Sequence, residues 1–166
     1  MIGDVMANDC AVCYVTDIGF LLPSLVSATS LRKFVGPDKV DVFIFLVGQD
    51  HLVADVNKIA SQFNIQVVAF DSRWINEFDL NDFAISHVTP AALGRFFLDR
   101  GLPDHIKRIV YIDGDTLIRR DPSELIKAVV PEGKFLATED MVSFRFNPAN
   151  PRGRMKMSYL NGIGVH

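Results

Sequence analysis

Three apolar runs, AVCYV at 11–15, VDVFIFLV at 40–47 and IQVVAF at 65–70, decide the architecture of this chain. The first is dense enough in apolar residues to be buried on both faces, which is how strands of a parallel sheet read when helices cover them. Between the first two runs, residues 23–34 predict a helix. Pro23 sits in its first turn, where a missing N–H costs nothing, and Gly36-Pro37 stops it. Between the second and third, Asp50 stands in a capping position, and Leu52, Val56, Ile59 and Phe63 form one apolar stripe. Strand, helix, strand, helix, strand is the order of an α/β fold: a Rossmann-like, mainly parallel central sheet with helices on both faces.

Beyond residue 70 the rhythm breaks. Residues 71–88 hold Trp74, Phe78 and Phe83 among Asn and Asp with weak periodicity, which reads either as a functional connection or as a loop tucked under its own aromatics. Thr89-Pro90 then reads as an N-cap and first helical residue, opening a helix to Arg100 that Gly101 ends. Residues 108–112 predict a fourth strand, and 116–118 a short extended piece. Asp121-Pro122-Ser123-Glu124 resembles a capping box that opens a helix to Val129. Residues 134–138 predict a further strand running into Glu139-Asp140. The stretch 146–157, with two prolines and three basic residues, reads as a mobile loop, and 159–165 is a last apolar segment.

The 166 residues suit one domain with a single core, and 49% apolar with 22% charged residues is an ordinary globular composition. A formal charge of -3 without a basic run argues against nucleic acid as a partner, since that affinity rests on clustered Lys and Arg. The least charged stretch, 18–31, is too short to span a bilayer and is interrupted by Pro23, Ser24, Ser27, Thr29 and Ser30. Asp4 and Asp9 stand where a signal peptide would carry Lys or Arg, so the expectation is a cytoplasmic protein without a transmembrane segment, peripheral membrane contact left open. Cys10 and Cys13 have C-x-x-C spacing, but no second such pair completes a zinc site. A spacing of three in a strand points the thiols to opposite faces, so they read as core residues.

The chemistry lies in Ile109-Val110-Tyr111-Ile112-Asp113-Gly114-Asp115, where an apolar strand delivers two carboxylates separated by one glycine. In extended chain, residues two apart share a side with about 6–7 Å of rise between them. Such a pair can converge on one hard divalent cation, magnesium or manganese, which takes oxygen ligands and bridges carboxylates to a diphosphate. Strand carboxyl ends are where open α/β sheets bind ligands. Gly114 leaves room for substrate to approach the backbone. D-G-D is also common turn composition, and the bare triplet read alone is structural.

At this point the chain resembles glycosyltransferase family 8, a group with the GT-A fold that includes glycogenin and bacterial lipopolysaccharide galactosyl- and glucosyltransferases. The resemblance rests on YIDGDTLI at 111–118 and on stretches in the same order: Val15-Thr16-Asp17, then His87 to Ala91 followed by Arg95-Phe96, then Pro122 to Leu125, Phe135 to Asp140 and Tyr159-Leu160-Asn161-Gly162. It implies that Asp113 and Asp115 bind manganese (or magnesium) and the donor diphosphate, with Asp113 near the ribose. It implies that Thr16 and Asp17 meet the nucleotide, that Arg95 contacts phosphates or sugar, and that Asp140 and Asn161 lie near the donor sugar. The implied activity is retaining transfer of a hexose from a uridine-diphosphate sugar to a carbohydrate or glycan acceptor, as in lipopolysaccharide or other glycan synthesis.

On the residues alone several of these readings keep an alternative. Arg95 is a fixed cation for a departing diphosphate or a snorkelling surface residue. Asp17 is a turn residue at a strand end, His87 an ordinary loop histidine or an acceptor-side group, and Asp140 a surface acid. The sequence also departs from the family pattern. Leu93 replaces a usual tyrosine, 161–165 carries one extra residue, and the family's C-terminal histidine motif and acceptor-binding part have no counterpart, so the chain reads as truncated. Two other functions remain open: a sugar-nucleotide-binding module without turnover, and a haloacid dehalogenase-type phosphatase with Asp113 as nucleophile. Against the second, Leu117 stands where those enzymes usually carry Thr or Val, and their motif tends to come early whereas this one follows three strands.

Overall fold

The computed structural model describes residues 9–76, 90–131 and 133–137. The chain divides into two compact units, 1–128 and 129–166. The first holds a sheet of four strands, β1 (Cys10–Thr16), β2 (Asp41–Val47), β3 (Gln66–Phe70) and β4 (Arg108–Tyr111). Their spatial order is β3-β2-β1-β4, and every pairing is parallel. Three helices intervene in the first half: α1 (Leu21–Arg32), α2 (Val53–Ala60) and α3 (Arg73–Asn76). Two further short ones follow among the described residues, α4 (Pro90–Gly94) and α5 (Ser123–Ile126). In the second unit the described residues 129–131 and 133–137 lie outside any strand or helix. The strand expected at 134–138 is therefore absent over 134–137; Phe135 and Leu136 are exposed, and without a paired neighbour their apolar run has no sheet to join.

The period of two along each strand sorts its side chains onto two faces. Cys10, Val12 and Tyr14 join Val42, Ile44, Leu46 and Val67 on one face, packed with Leu21, Ala28 and Leu31 of α1 and Ile126 of α5. Ala11, Cys13 and Val15 join Phe43, Phe45 and Phe70 on the other, packed with Ile75 of α3 and with Phe97 and Leu98. Helices thus cover both faces, and every residue of β1 is buried. Each large aliphatic side chain so removed from water contributes about 1.5–3 kcal/mol before entropy is counted. Cys10 and Cys13 fall on opposite faces as unpaired, buried thiols.

Helix α1 presents an unusual inner face. Ser24, Ser27 and Ser30, three apart, are buried together with Ala28. Each hydroxyl has a partner: Ser24 Oγ donates to the Phe20 carbonyl at 2.9 Å, Ser27 Oγ to Tyr14 Oη at 3.2 Å and Ser30 Oγ to the Ser27 carbonyl at 2.7 Å. Small satisfied side chains let chain approach the helix closely at no desolvation cost. At its far end Arg32 ties the helix down, donating to the carbonyls of Val40 (2.9 Å) and Asn64 (2.7 Å).

Local details differ from the sequence expectation where tight turns intervene. Asp50 begins a 3₁₀ turn, Asp50–Leu52, and makes no capping bond to α2. The inward face of α2 is Val53, Val56 and Ala60, with Leu52 of the preceding turn beside them, so Ile59 and Phe63 are left exposed. The helix expected from Pro90 to Arg100 is α-helical only to Gly94 and continues as 3₁₀ over Arg95–Gly101. Asp121 Oδ1 accepts from the Ser123 amide at 2.9 Å and hydroxyl at 2.6 Å, an Asx-type turn in place of a capping box, and α5 ends at Ile126, short of Val129.

Candidate functional site

The chain runs from β1 through β2 to β3 on one side of the sheet and returns to place β4 on the other side of β1. The carboxyl ends of β1 and β4 therefore flank the point where strand order reverses, which is where a crevice must open because the following connections leave in opposite directions. A cleft of about 220 Å³ lies there. Val15, Thr16 and Asp17 enter it from the end of β1, Phe20 and Ser24 from the start of α1, Ala91, Ala92 and Arg95 from α4 and its continuation, and Tyr111, Asp113, Gly114 and Asp115 from the end of β4.

Two glycines set this convergence. A Cβ on Gly94 would stand 2.7 Å from Val15 Cγ1 and 3.1 Å from the Phe70 ring, so only glycine lets α4 lie directly on the end of β1 and bring Arg95 to the cleft. A Cβ on Gly114 would collide with Ser24 Oγ. The absent side chain expected to admit substrate thus also seats the D-G-D segment on the serine face of α1.

That segment is a turn and not an extended chain. The Thr116 amide donates to the Asp113 carbonyl at 3.1 Å, and Thr116 Oγ1 donates to the same oxygen at 2.8 Å. Thr116 Oγ1 also lies 3.1 Å from Ser27 Oγ, and Ser30 Oγ accepts from the Ile118 amide at 3.0 Å. The strand-spacing argument for the two carboxylates does not hold, because backbone hydrogen bonding curls the chain after Ile112. The turn still leaves both Asp113 and Asp115 exposed on the cleft.

Asp113, Arg95 and Tyr111 form a closed group. Tyr111 Oη donates to Asp113 Oδ1 at 2.7 Å, an Arg95 terminal nitrogen donates to the same oxygen at 3.3 Å, and the guanidinium carbon lies 4.6 Å from the Tyr111 ring centroid. Arg95 Nε is anchored on the Ala92 carbonyl at 2.8 Å. Burial, then the Asp113 carboxylate, pushes the Tyr111 phenol well above its ordinary value, so it stays protonated and donating. At β1, Thr16 is buried with its hydroxyl on the Asp17 carbonyl at 3.0 Å, and Asp17 Oδ1 accepts from the Phe20 amide at 3.1 Å. Asp17 is thus a turn residue that also lines the cleft.

Six sequence-expected residues, Thr16, Asp17, Arg95, Asp113, Gly114 and Asp115, meet in one place. Asp140, Asn161 and His87, the loop 146–157 and the segment 159–165 lie outside the described residues. Sequence reasoning passed over Phe20, Ser24 and Tyr111. The first two stood in a stretch notable only for lacking charge, although the three-residue spacing of Ser24, Ser27 and Ser30 marked a helix face. Tyr111 looked like one more apolar strand residue, although it shares a strand side with Asp113. Among the described residues no group of three or more His, Cys, Asp or Glu converges. Asp113 and Asp115 carry carboxylate oxygens, the hard donor type that a magnesium- or manganese-sized ion takes.

The sequence model of glycosyl transferase family 8 matches residues 11–161. Among solved structures the chain is similar to the galactosyltransferase LgtC in complex with donor and acceptor sugar analogues, with a TM-score of 0.53 and 17% identity over 72% of this chain and 42% of that one. It is similar also to an active-site mutant of LgtC, with a TM-score of 0.53 and 19% identity over 72% and 42%. The chain therefore aligns with less than half the length of these structures, and at such identity the likeness is one of fold. No curated protein matches the sequence. No helix among the described residues is long and apolar enough to cross a membrane.

Proposed function

The chain belongs to glycosyl transferase family 8, and on that premise we propose that its cleft is the donor site of a metal-dependent, retaining hexosyltransferase that uses a uridine-diphosphate sugar. The observation that carries the reading is the meeting of Asp113, Asp115 and Arg95 with the end of β1 in one crevice at the reversal of strand order. The acceptor would be a carbohydrate, as in lipopolysaccharide or another glycan. The phosphatase alternative gives way to the family match.

In this reading the exposed ring of Phe20 and the Thr16-Asp17 strand end receive the nucleoside. Asp113 and Asp115 would hold a manganese or magnesium ion, which would neutralise negative charge on the diphosphate. Arg95 adds a positive charge where leaving-group charge grows, and its anchor on Ala92 means that little reorganisation is needed. The bond from the anomeric carbon to the diphosphate oxygen breaks as an acceptor hydroxyl bonds to that carbon from the same face. The hydroxyl proton passes to the departing phosphate oxygen, and uridine diphosphate leaves. Asp140 and Asn161 are proposed for the sugar side of this site.

The test has two arms. Calorimetry should show uridine diphosphate binding that depends on manganese in the wild type and is lost in Asp115→Ala. Incubation with uridine-diphosphate hexoses and glycan acceptors should then give a product of retained anomeric configuration. Binding without any transfer would make the protein a sugar-nucleotide-binding module, and an inverted product would remove the retaining mechanism.

A further inference from the structure

We propose that Tyr111 is a positioning residue that holds the Asp113 carboxylate and the Arg95 guanidinium at a fixed spacing while Asp113 exchanges one partner for another. The proposal rests on the reading of the cleft as a metal and diphosphate site. Its observation is that both sides of one aromatic residue are in use: the hydroxyl on Asp113 Oδ1 at 2.7 Å and the ring under Arg95 at 4.6 Å.

The distances rank the contacts. The Arg95–Asp113 approach of 3.3 Å exceeds the about 2.7–2.9 Å of a strong charge-assisted bond. The Tyr111 bond, at 2.7 Å, is short and direct. Were Asp113 to hold a divalent cation, its long ionic contact with Arg95 is the one that would yield. Arg95 then keeps its anchors on the Ala92 carbonyl and the Tyr111 face, and its freed nitrogen turns to the diphosphate. The phenol keeps one carboxylate oxygen engaged, so the side chain enters coordination already oriented, the role that outer partners of metal ligands fill. Half of Asp113's side chain is exposed, at 55%, so without this donor little else that surrounds it restrains its rotation.

Calorimetric titration with manganese, in the presence of saturating uridine diphosphate, tests this on wild type, Tyr111→Phe, Tyr111→Leu and Asp113→Ala. Tyr111→Phe keeps the ring and the packing; its manganese affinity should fall about tenfold. Its uridine diphosphate affinity at saturating manganese should stay within about twofold, because the Arg95 platform survives. Tyr111→Leu should lose affinity for both. If Tyr111→Phe binds manganese as the wild type does while Asp113→Ala abolishes binding, the metal site stands and Tyr111 is mere packing. An equal fall of both affinities in Tyr111→Phe would equally overturn the proposal, since that is general loosening. If Asp113→Ala itself leaves manganese binding intact, the donor-site reading falls and takes the positioning role with it.

Discussion

Two clefts of similar size lie towards opposite ends of β4. The one at the carboxyl end measures about 220 Å³ and the one near the amino end about 250 Å³. The larger is lined by residues 99–109, a single stretch folded beside itself, with Asp99, Asp104 and Lys107 as its charged groups. The smaller draws on the ends of two strands and on two helices, with lining residues spread over some one hundred positions of chain, from Val15 to Asp115. Volume therefore does not distinguish a site from a surface crease; convergence does. Chain that must return from afar to place Arg95 and Asp113 beside Val15 and Thr16 has a geometry fixed by the fold, whereas a local crease merely follows its own loop.

The sharpest way to break this contrast is a pair of matched substitutions. Asp113→Ala should reduce manganese-dependent binding of uridine diphosphate by at least the about 10–100-fold that loss of an outer metal partner costs. Asp104→Ala in the other cleft should leave it unchanged. Equal effects, or none in either, would erase the distinction. A smaller effect should follow from Gly114→Ala, which drives a methyl group into Ser24 Oγ. Overpacking of this kind costs about 1–3 kcal/mol. Adding Ser24→Gly should recover most of the stability measured by denaturant unfolding, and failure to recover would show that the turn does not depend on that close approach.

The smallest effect expected is on pH stability. Burial raises Cys13 above its ordinary 9.0 and Tyr111 above its ordinary 10.0. A group whose folded value is raised contributes stability fully below its unfolded value and loses it as pH climbs towards the folded one. Thermal unfolding should thus be flat up to about pH 8.5 and fall above pH 9–10, with about 2–4 °C lost per kcal/mol. Tyr111→Phe should soften the fall; an unchanged profile would place the alkaline sensitivity elsewhere.

The strands were legible because burial on both faces forces unbroken apolar runs, and 11–15, 40–47 and 65–70 could hardly be anything else. The place of the D-G-D turn was legible because it follows an apolar strand, and the carboxyl ends of strands are where an open α/β sheet forms its crevice. What the sequence hid were features decided by long-range packing. Ile59 and Phe63 fit a helical stripe on paper, yet the face of α2 that packs is Val53, Val56 and Ala60, which leaves both of them outward. Residues 134–137 have strand composition, but a strand exists only by pairing. Tyr111 could not be separated from Ile109 and Val110 until Arg95 was seen lying over its ring. The serines of α1 looked like interruptions because their partners, Thr116 and Ile118, lie about ninety positions away.

Those serines have one more implication. A single-residue rotation of α1 would swing its face by about 100° and sever the links to Tyr14, Thr116 and Ile118 together. Helix and turn must accordingly travel as one piece or not at all. The floor of the cleft is thereby set when the protein folds.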